Sequence, residues 1–270
     1  MRILQALYLS VFSIILIFSA NIANAGDKVV FSGSTTILPF MEKMAPLFKK
    51  QGMDIEVQAG GSSVGYKTAH MGMADIGMMS REMKASEAKN LKKLAIARDW
   101  LIMIAHKDAP MDNITSQQVI DIYTGKTKEL NGFKINAIAK ENGRGTKEVF
   151  DHFFHLGKKA GHPIAKNLII IGPNGQAITT LAHDPHGLAY LSYSAVEAAI
   201  NQGEPIKMLT LDGVDGSKLK NVLDGTYKLQ RTLNLVYQDK KADLMKRVRA
   251  VLATDEARKI FKDNGVQPVL

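Results

Sequence analysis

The sequence predicts an α/β protein, and three observations carry that prediction. Short apolar runs alternate with amphipathic segments along nearly all of the 270 residues, the pattern of strands spaced by helices that builds parallel sheets. Three Gly- and Ser/Thr-rich turns each join an apolar run to a helical pattern: Gly33-Ser34-Thr35-Thr36, Gly60-Gly61-Ser62-Ser63 and Asn142-Gly143-Arg144-Gly145-Thr146. No repeat, low-complexity tract or long linker interrupts the alternation. A division into lobes is therefore expected at crossing strands, not at a disordered tether.

The first segment reads as an address. Arg2 precedes an uncharged, mostly apolar run over 3–20 that closes on Ala23-Asn24-Ala25. That small-x-small ending before polar Gly26-Asp27 favours a signal peptide over 1–25, cleaved after Ala25 with export of the product, over a retained membrane anchor. The chain has no cysteine, which excludes a lipid-anchored cysteine, thiolate catalysis, Cys-ligated zinc, iron–sulfur clusters and disulfides together.

Beyond the leader, short runs rich in Val, Ile, Leu, Met and Phe predict strands over 29–31, 55–57, 76–79, 101–105, 135–138, 168–171, 188–191, 208–211 and 233–237. Helical periodicity fills the intervals 37–50, 64–71, 86–94, 115–123, 146–156, 175–182, 194–201, 241–252 and 255–263. Thr115-x-x-Gln118 and Ser194-x-x-Glu197 have the form of capping boxes, in which side chains satisfy free N–H groups of the first turn.

The three turns point to the chemistry. Glycine lets the backbone approach a ligand, serine and threonine add hydroxyl donors, and a helix start presents unpaired N–H groups at the positive end of its dipole. Each turn is thus a candidate anion cradle. Without a Walker-type phosphate loop, the set suits one small oxyanion better than a nucleotide. A fourth element ends the 76–79 strand: Ser80 offers a hydroxyl and Arg81 a guanidinium able to fork onto two anion oxygens.

The net charge of +9 suits nucleic acid, an acidic membrane or an anion, and does not choose among them. The Lys pairs at 49/50, 92/93, 158/159 and 240/241 are scattered at expected helix ends, and aromatics amount to 7% without clustering. Neither forms a nucleic-acid stripe, so no nucleic-acid partner is expected. Gly61-Ser62-Ser63-Val64-Gly65 also spells the G-x-S-x-G of a serine hydrolase, with Asp184/His186 or Asp151/His152 following in order. No His-Gly-Gly oxyanion segment precedes it. His152 and His155 read as a wet helix face, so neither metal nor cofactor is expected. Met71, Met73, Met78, Met79 and Met83 read as core filler.

Taken in order, GSTTILP (33–39), AGGSSVGYKTA (59–69), ADIGMMSRE (74–82), NITSQQVIDIYTGK (113–126), ENGRGTKEVF (141–150), HGLAYLSY (186–193), DGTYKLQRTLNLVY (224–237) and GVQPVL (265–270) resemble the phosphate-binding component of bacterial phosphate ABC transporters. The resemblance implies a two-lobe periplasmic-binding-protein fold of type II with the ligand in the cleft between lobes. It places one lobe at 26–105 plus 191–270 and the other at 106–190. It further implies a non-enzymatic, monomeric receptor that delivers inorganic phosphate to an inner-membrane ABC permease. Sulfate, molybdate or tungstate would be the same-fold alternatives. Carried over by position, Thr35, Thr36, Ser62, Gly143, Gly145 and Thr146 match the family's phosphate turns; Ser80, Arg81 and Arg144 complete the expected ligand set, with Lys140 as the alternate cation. The chain departs from the family pattern in two places. Arg144 stands where a serine is usual and Lys140 where an arginine is usual. Some members have an Asp where Ser80 lies, to accept the proton of hydrogen phosphate, so Glu141 or Asp75 is expected to stand in.

Overall fold

The computed structural model describes residues 27–270; the expected signal segment and its cleavage site lie outside the described residues. The chain opens with β1 (Asp27–Gly33), α1 (Leu38–Lys50), β2 (Met53–Ala59), α2 (Ser62–His70) and β3 (Ile76–Met79). β1 is the central strand of this group and runs parallel to both β2 and β3. A long strand, β4 (Lys92–His106), then leads into the middle of the chain: β5 (Asn113–Ile114), α3 (Ser116–Tyr123), β6 (Glu129–Leu130), β7 (Phe133–Lys134), β8 (Asn136–Lys140), α4 (Gly145–Phe153), β9 (Ile169–Ile171), α5 (Asn174–Ala182), β10 (Gly187–Ser192), α6 (Tyr193–Asn201), β11 (Ile206–Leu211) and α7 (Leu219–Leu223). The chain closes with β12 (Gln230–Tyr237), α8 (Ala242–Leu252), α9 (Asp255–Asp263) and β13 (Gln267–Pro268).

Two separate cores follow from how β4 is shared. Its first part pairs antiparallel with β12, from Lys92 opposite Tyr237 to Trp100 opposite Gln230. Its second part, Leu101–Ala105, pairs antiparallel with β10. Val29, Phe31, Met41, Phe48, Ile76, Leu233, Val248 and Phe261 pack in one core. Trp100 through Ala105, Tyr123, Phe150, Leu188, Tyr190 and Leu209 pack in the other. The chain therefore passes between the cores within β4 and again just before β12. The expected boundary at 190/191 falls inside the second core, which continues through Leu191, Val196, Leu211, Val222 and Tyr227 to Leu229.

Several expectations are corrected. The segment 86–94 is not a helix, because Lys92–Leu94 open the 15-residue β4. Its helical periodicity yields to cross-strand pairing of Leu94 with Leu235, a tertiary partner that local propensity does not register. The sheets are mixed, since β10, β11 and β12 all run antiparallel to β4. Met78 and Met79 are core as expected, but Met71 and Met73 are each 68% exposed, on the turn beyond the end of α2. The capping box at Thr115 and Gln118 is formed. That at Ser194 is not: α6 starts at Tyr193, and its N-cap residue Ser192 donates its hydroxyl to Asp99 at 2.8 Å instead.

Candidate functional site

Four helices begin at one place between the cores. The first core contributes the turn Ser34-Thr35-Thr36 leading into α1, Gly61 and Ser62 at the start of α2, and Ser80 after β3. The second contributes Lys140 at the end of β8, Arg144, Gly145 and Thr146 at the start of α4, and Asn174 at the start of α5. None of these four helices has a side-chain cap, which they share with α6, α7 and α8, whereas α3 and α9 are capped by Thr115 and Thr254. Helix starts present N–H groups and positive dipole ends, and anions fit them; at α1 the turn is already bonded within itself, Thr36 N–H to Ser34 Oγ and Leu38 N–H to the Ser34 carbonyl. The space these residues enclose is narrow, with room for little more than one water-sized sphere, which excludes a nucleotide.

Close approach across the gap explains a glycine. A Cβ on Gly145 would stand 2.3 Å from Ser62 Oγ and 2.7 Å from Ser80 Oγ. Ser62 Oγ accepts the Ser80 N–H at 3.0 Å, which leaves its own proton to donate. Ser34 Oγ accepts the Thr36 N–H at 3.2 Å and shapes the first turn.

A buried arginine behind the cavity orients two more hydroxyls. Arg231 lies opposite Asp99 in the β12–β4 register and pairs with it, Nη2 to Oδ2 at 2.7 Å. The same guanidinium donates to Thr36 Oγ1 at 3.1 Å and to Thr146 Oγ1 at 2.9 Å. Both threonine oxygens are thereby acceptors for Arg231, and their protons are free to donate to a ligand. Asn174 adds a 3.5 Å contact from Nδ2 to Thr36 Oγ1.

Two cations line the second wall. Lys140 is 2% exposed, and its Nζ donates to the Gly172 carbonyl at 2.9 Å. Burial, followed by the positive charges of Arg144 and Arg231, pushes its pKa down to about 7. Arg144 Nε donates to Glu141 Oε1 at 2.8 Å, while its Nη1 is buried with no hydrogen-bond partner among the described residues. Both cations between which the sequence left a choice line the cavity.

Two expected ligands stand elsewhere. Arg81 is turned away from the cavity into a two-pronged pair with Glu87, at 2.7 and 2.8 Å. Burial opposes its charge, but the Glu87 and Glu148 carboxylates outweigh that cost and raise its pKa. Gly143 does not line the cavity; its carbonyl accepts the Ser63 N–H at 3.0 Å and seats one turn on the other. The expected proton acceptors are also occupied elsewhere. Asp75 accepts from Val30 N and Lys241 Nζ, and Glu141 holds Arg144. No carboxylate lines the cavity among the described residues.

Sequence reasoning named the turns that hold Ser34 and Gly61 without listing either as a ligand, and missed Asn174, Asp99 and Arg231. Opposite charges just outside two apolar strands were the available signal for the last two. The expected strands began at 101 and 233, so neither residue was placed inside a sheet. The hydrolase constellation does not assemble: Ser63 Oγ donates to Glu148 at 3.3 Å, and His186 Nδ1 lies against the Lys134 carbonyl. Among the described residues no cluster of three metal-ligating side chains occurs.

A model of the PBP superfamily domain matches residues 19–256. The chain belongs to the PBP superfamily. Its fold is the mixed α/β, two-lobe periplasmic-binding-protein fold. A Clostridium perfringens structure, described as a phosphate ABC transporter substrate-binding protein with bound phosphate, superposes with a TM-score of 0.81 and 29% identity, over 90% of this chain and 100% of that one. Phosphate-binding protein PstS of Bacillus subtilis is 25% identical over 256 residues, 91% of this chain and 82% of its own length. Phosphate-binding protein PstS 2 of Streptococcus agalactiae is 40% identical over 106 residues, a segment spanning 38% of this chain and 36% of that relative.

Proposed function

We propose that this chain is a receptor for inorganic phosphate, held in the cleft and delivered to an ABC permease. The observation that carries the reading is a cavity for one compact group, with four uncapped helix starts, oriented hydroxyls and two cations around it. The ligand set is Thr35, Thr36, Ser62, Ser80, Lys140, Arg144, Gly145 and Thr146, with Arg231 holding two of the hydroxyls in place. The names of the relatives support phosphate as the ligand.

In this reading one lobe spans 27–99 with 230–270 and the other spans 100–229, with β4 and the approach to β12 as the hinge. Phosphate bridges the lobes and so stabilises the closed state by its differential contacts. The protein acts by binding and release without catalysis, as a monomer in the periplasm, after loss of residues 1–25. Among the described residues no helix is long and apolar enough to cross a membrane.

The lack of a carboxylate in the cavity supports keeping a second reading, a receptor for another tetrahedral oxyanion. Hydrogen phosphate carries a proton that an acceptor would recognise; sulfate, molybdate and tungstate at neutral pH do not. Charge-assisted hydrogen bonds contribute roughly 1.5–3 kcal/mol each, so five or six support micromolar affinity or better after the cost of closure. Calorimetry on protein unfolded and refolded to remove carried ligand, titrated with phosphate, sulfate, molybdate and tungstate, tests both. Phosphate heat with weak or absent heat from the others is expected. Clear binding of another oxyanion with none of phosphate overturns the phosphate reading.

A further inference from the structure

Glu148 is the one carboxylate that reaches across the cleft outside the ligand cavity to pair with basic groups of the other wall, among the described residues. It sits in the first turns of α4, whose Phe150 is rooted in the second core. Every contact named here is made to the first core's side. Glu148 Oε2 lies 2.7 Å from Lys84 Nζ, and Oε1 lies 3.0 Å from Arg81 Nε, an ion contact without hydrogen-bond alignment. The Ser63 hydroxyl donates to the same Oε1 at 3.3 Å.

The other groups here make the arrangement directional. Arg81 is fixed by Glu87, whose Oε2 also accepts the Lys84 N–H at 2.9 Å, so the basic side is braced before Glu148 arrives. Beside it, the Ser63 N–H donates to the Gly143 carbonyl across the same gap. Neither Glu148, Arg81 nor Lys84 lines the anion cavity.

We infer that Glu148, acting on Arg81, Lys84 and Ser63, is a positioning residue that latches the two lobes closed and raises phosphate affinity without touching phosphate. The inference rests on the phosphate-receptor reading for its ligand and on the lobe division for its motion. It also gives Arg81 a role: the arginine expected to grip the anion instead grips the opposite lobe. A latch lowers the free energy of the closed state for any ligand, so its loss weakens every bound anion by the same factor. Simple electrostatics predicts the opposite sign, because removing a carboxylate near an anion site strengthens anion binding.

The test is Glu148→Gln, which keeps the side chain's shape, with Lys84→Met as a second variant whose parent side chain is 59% exposed and tolerant of change. Each is expected to weaken phosphate binding about tenfold, chiefly through faster release, with the double variant no weaker than Glu148→Gln alone. The chain has no cysteine, so spin labels at Lys67→Cys on α2 and His152→Cys on α4 report the interlobe distance directly. Without ligand, Glu148→Gln is expected to shift that distance distribution outward; at saturating phosphate it returns to the parent value. Unchanged or tighter phosphate binding, or a ligand-free distance distribution identical to the parent's, overturns the latch. If the parent binds no phosphate, the phosphate reading falls, and the ligand-free distances alone then judge the latch.

Discussion

The two walls of the cleft do their work by different means. The first wall holds Ser34, Thr35, Thr36, Gly61, Ser62 and Ser80, a neutral surface of hydroxyls and helix starts. The second holds Lys140 and Arg144 as well as Thr146, and so brings both cations. A neutral wall can be packed and hydrogen-bonded before any ligand arrives, as Ser80 N–H on Ser62 Oγ illustrates. A cationic wall is costly when closed and empty, which the depressed pKa of Lys140 records. An anion between the walls offsets that cost only in the closed state. The difference in charge therefore ties ligand binding to closure.

The largest effect should come from the cationic wall. Lys140→Met is expected to weaken phosphate binding about 100-fold, or ~2.7 kcal/mol, and Arg144→Ser at least about tenfold, or ~1.4 kcal/mol. Both should flatten the ionic-strength dependence of association measured by stopped flow. An Arg144→Ser protein with parental affinity would assign the charge to Lys140 alone. On the neutral wall Thr36→Val is expected to cost about tenfold, by removing one donor and leaving Arg231 short of an acceptor. Its salt dependence should match the parent's; a flattened slope would erase the distinction between the walls.

Lys140 supplies a third contrast, read in stability without ligand. Its pKa falls from 10.5 when free to about 7 in the fold, so the unfolded chain binds more protons between those values. This group then penalises the fold fully below about pH 7, and the penalty is relieved as pH rises through the window. Lys140→Met should raise Tm most at pH 6 and progressively less toward pH 9, in differential scanning calorimetry without phosphate. A constant difference across that range would mean the lysine is solvated. The smallest effect is expected from Thr115→Ala, the cap of α3 away from the cavity. Losing that cap should cost about 1 kcal/mol of stability and leave phosphate affinity unchanged.

Much of the fold and part of the site were legible in order along the chain. Strand–turn–helix junctions at 33–36, 60–63 and 142–146 were readable because glycine, hydroxyl and helix periodicity lie within a few consecutive residues. The first part of β4 was not, because Lys92–Leu94 become strand only when Leu235 and Tyr237 stand opposite. Asn174 escaped notice for a related reason: its turn, Gly172-Pro173-Asn174, lacks the Ser or Thr that marked the others.

By itself the sequence determined that hydroxyl-bearing helix starts would exist, since capping and turn chemistry are local. Only the tertiary structure decided which charges face the anion. Arg81 and Arg144 look equivalent in the sequence, each beside a serine or glycine, with Glu82 next to one and Glu141 three residues before the other. Arg81 meets Glu87 and Glu148 and turns away, while Arg144 keeps a buried Nη1 beside the cavity. Arg231 reaches both threonines only because β12 lies against β4, 132 residues from Asp99 in the chain. Charge–charge partners are chosen by distance in space, and that is set by the packing of strands far apart in sequence.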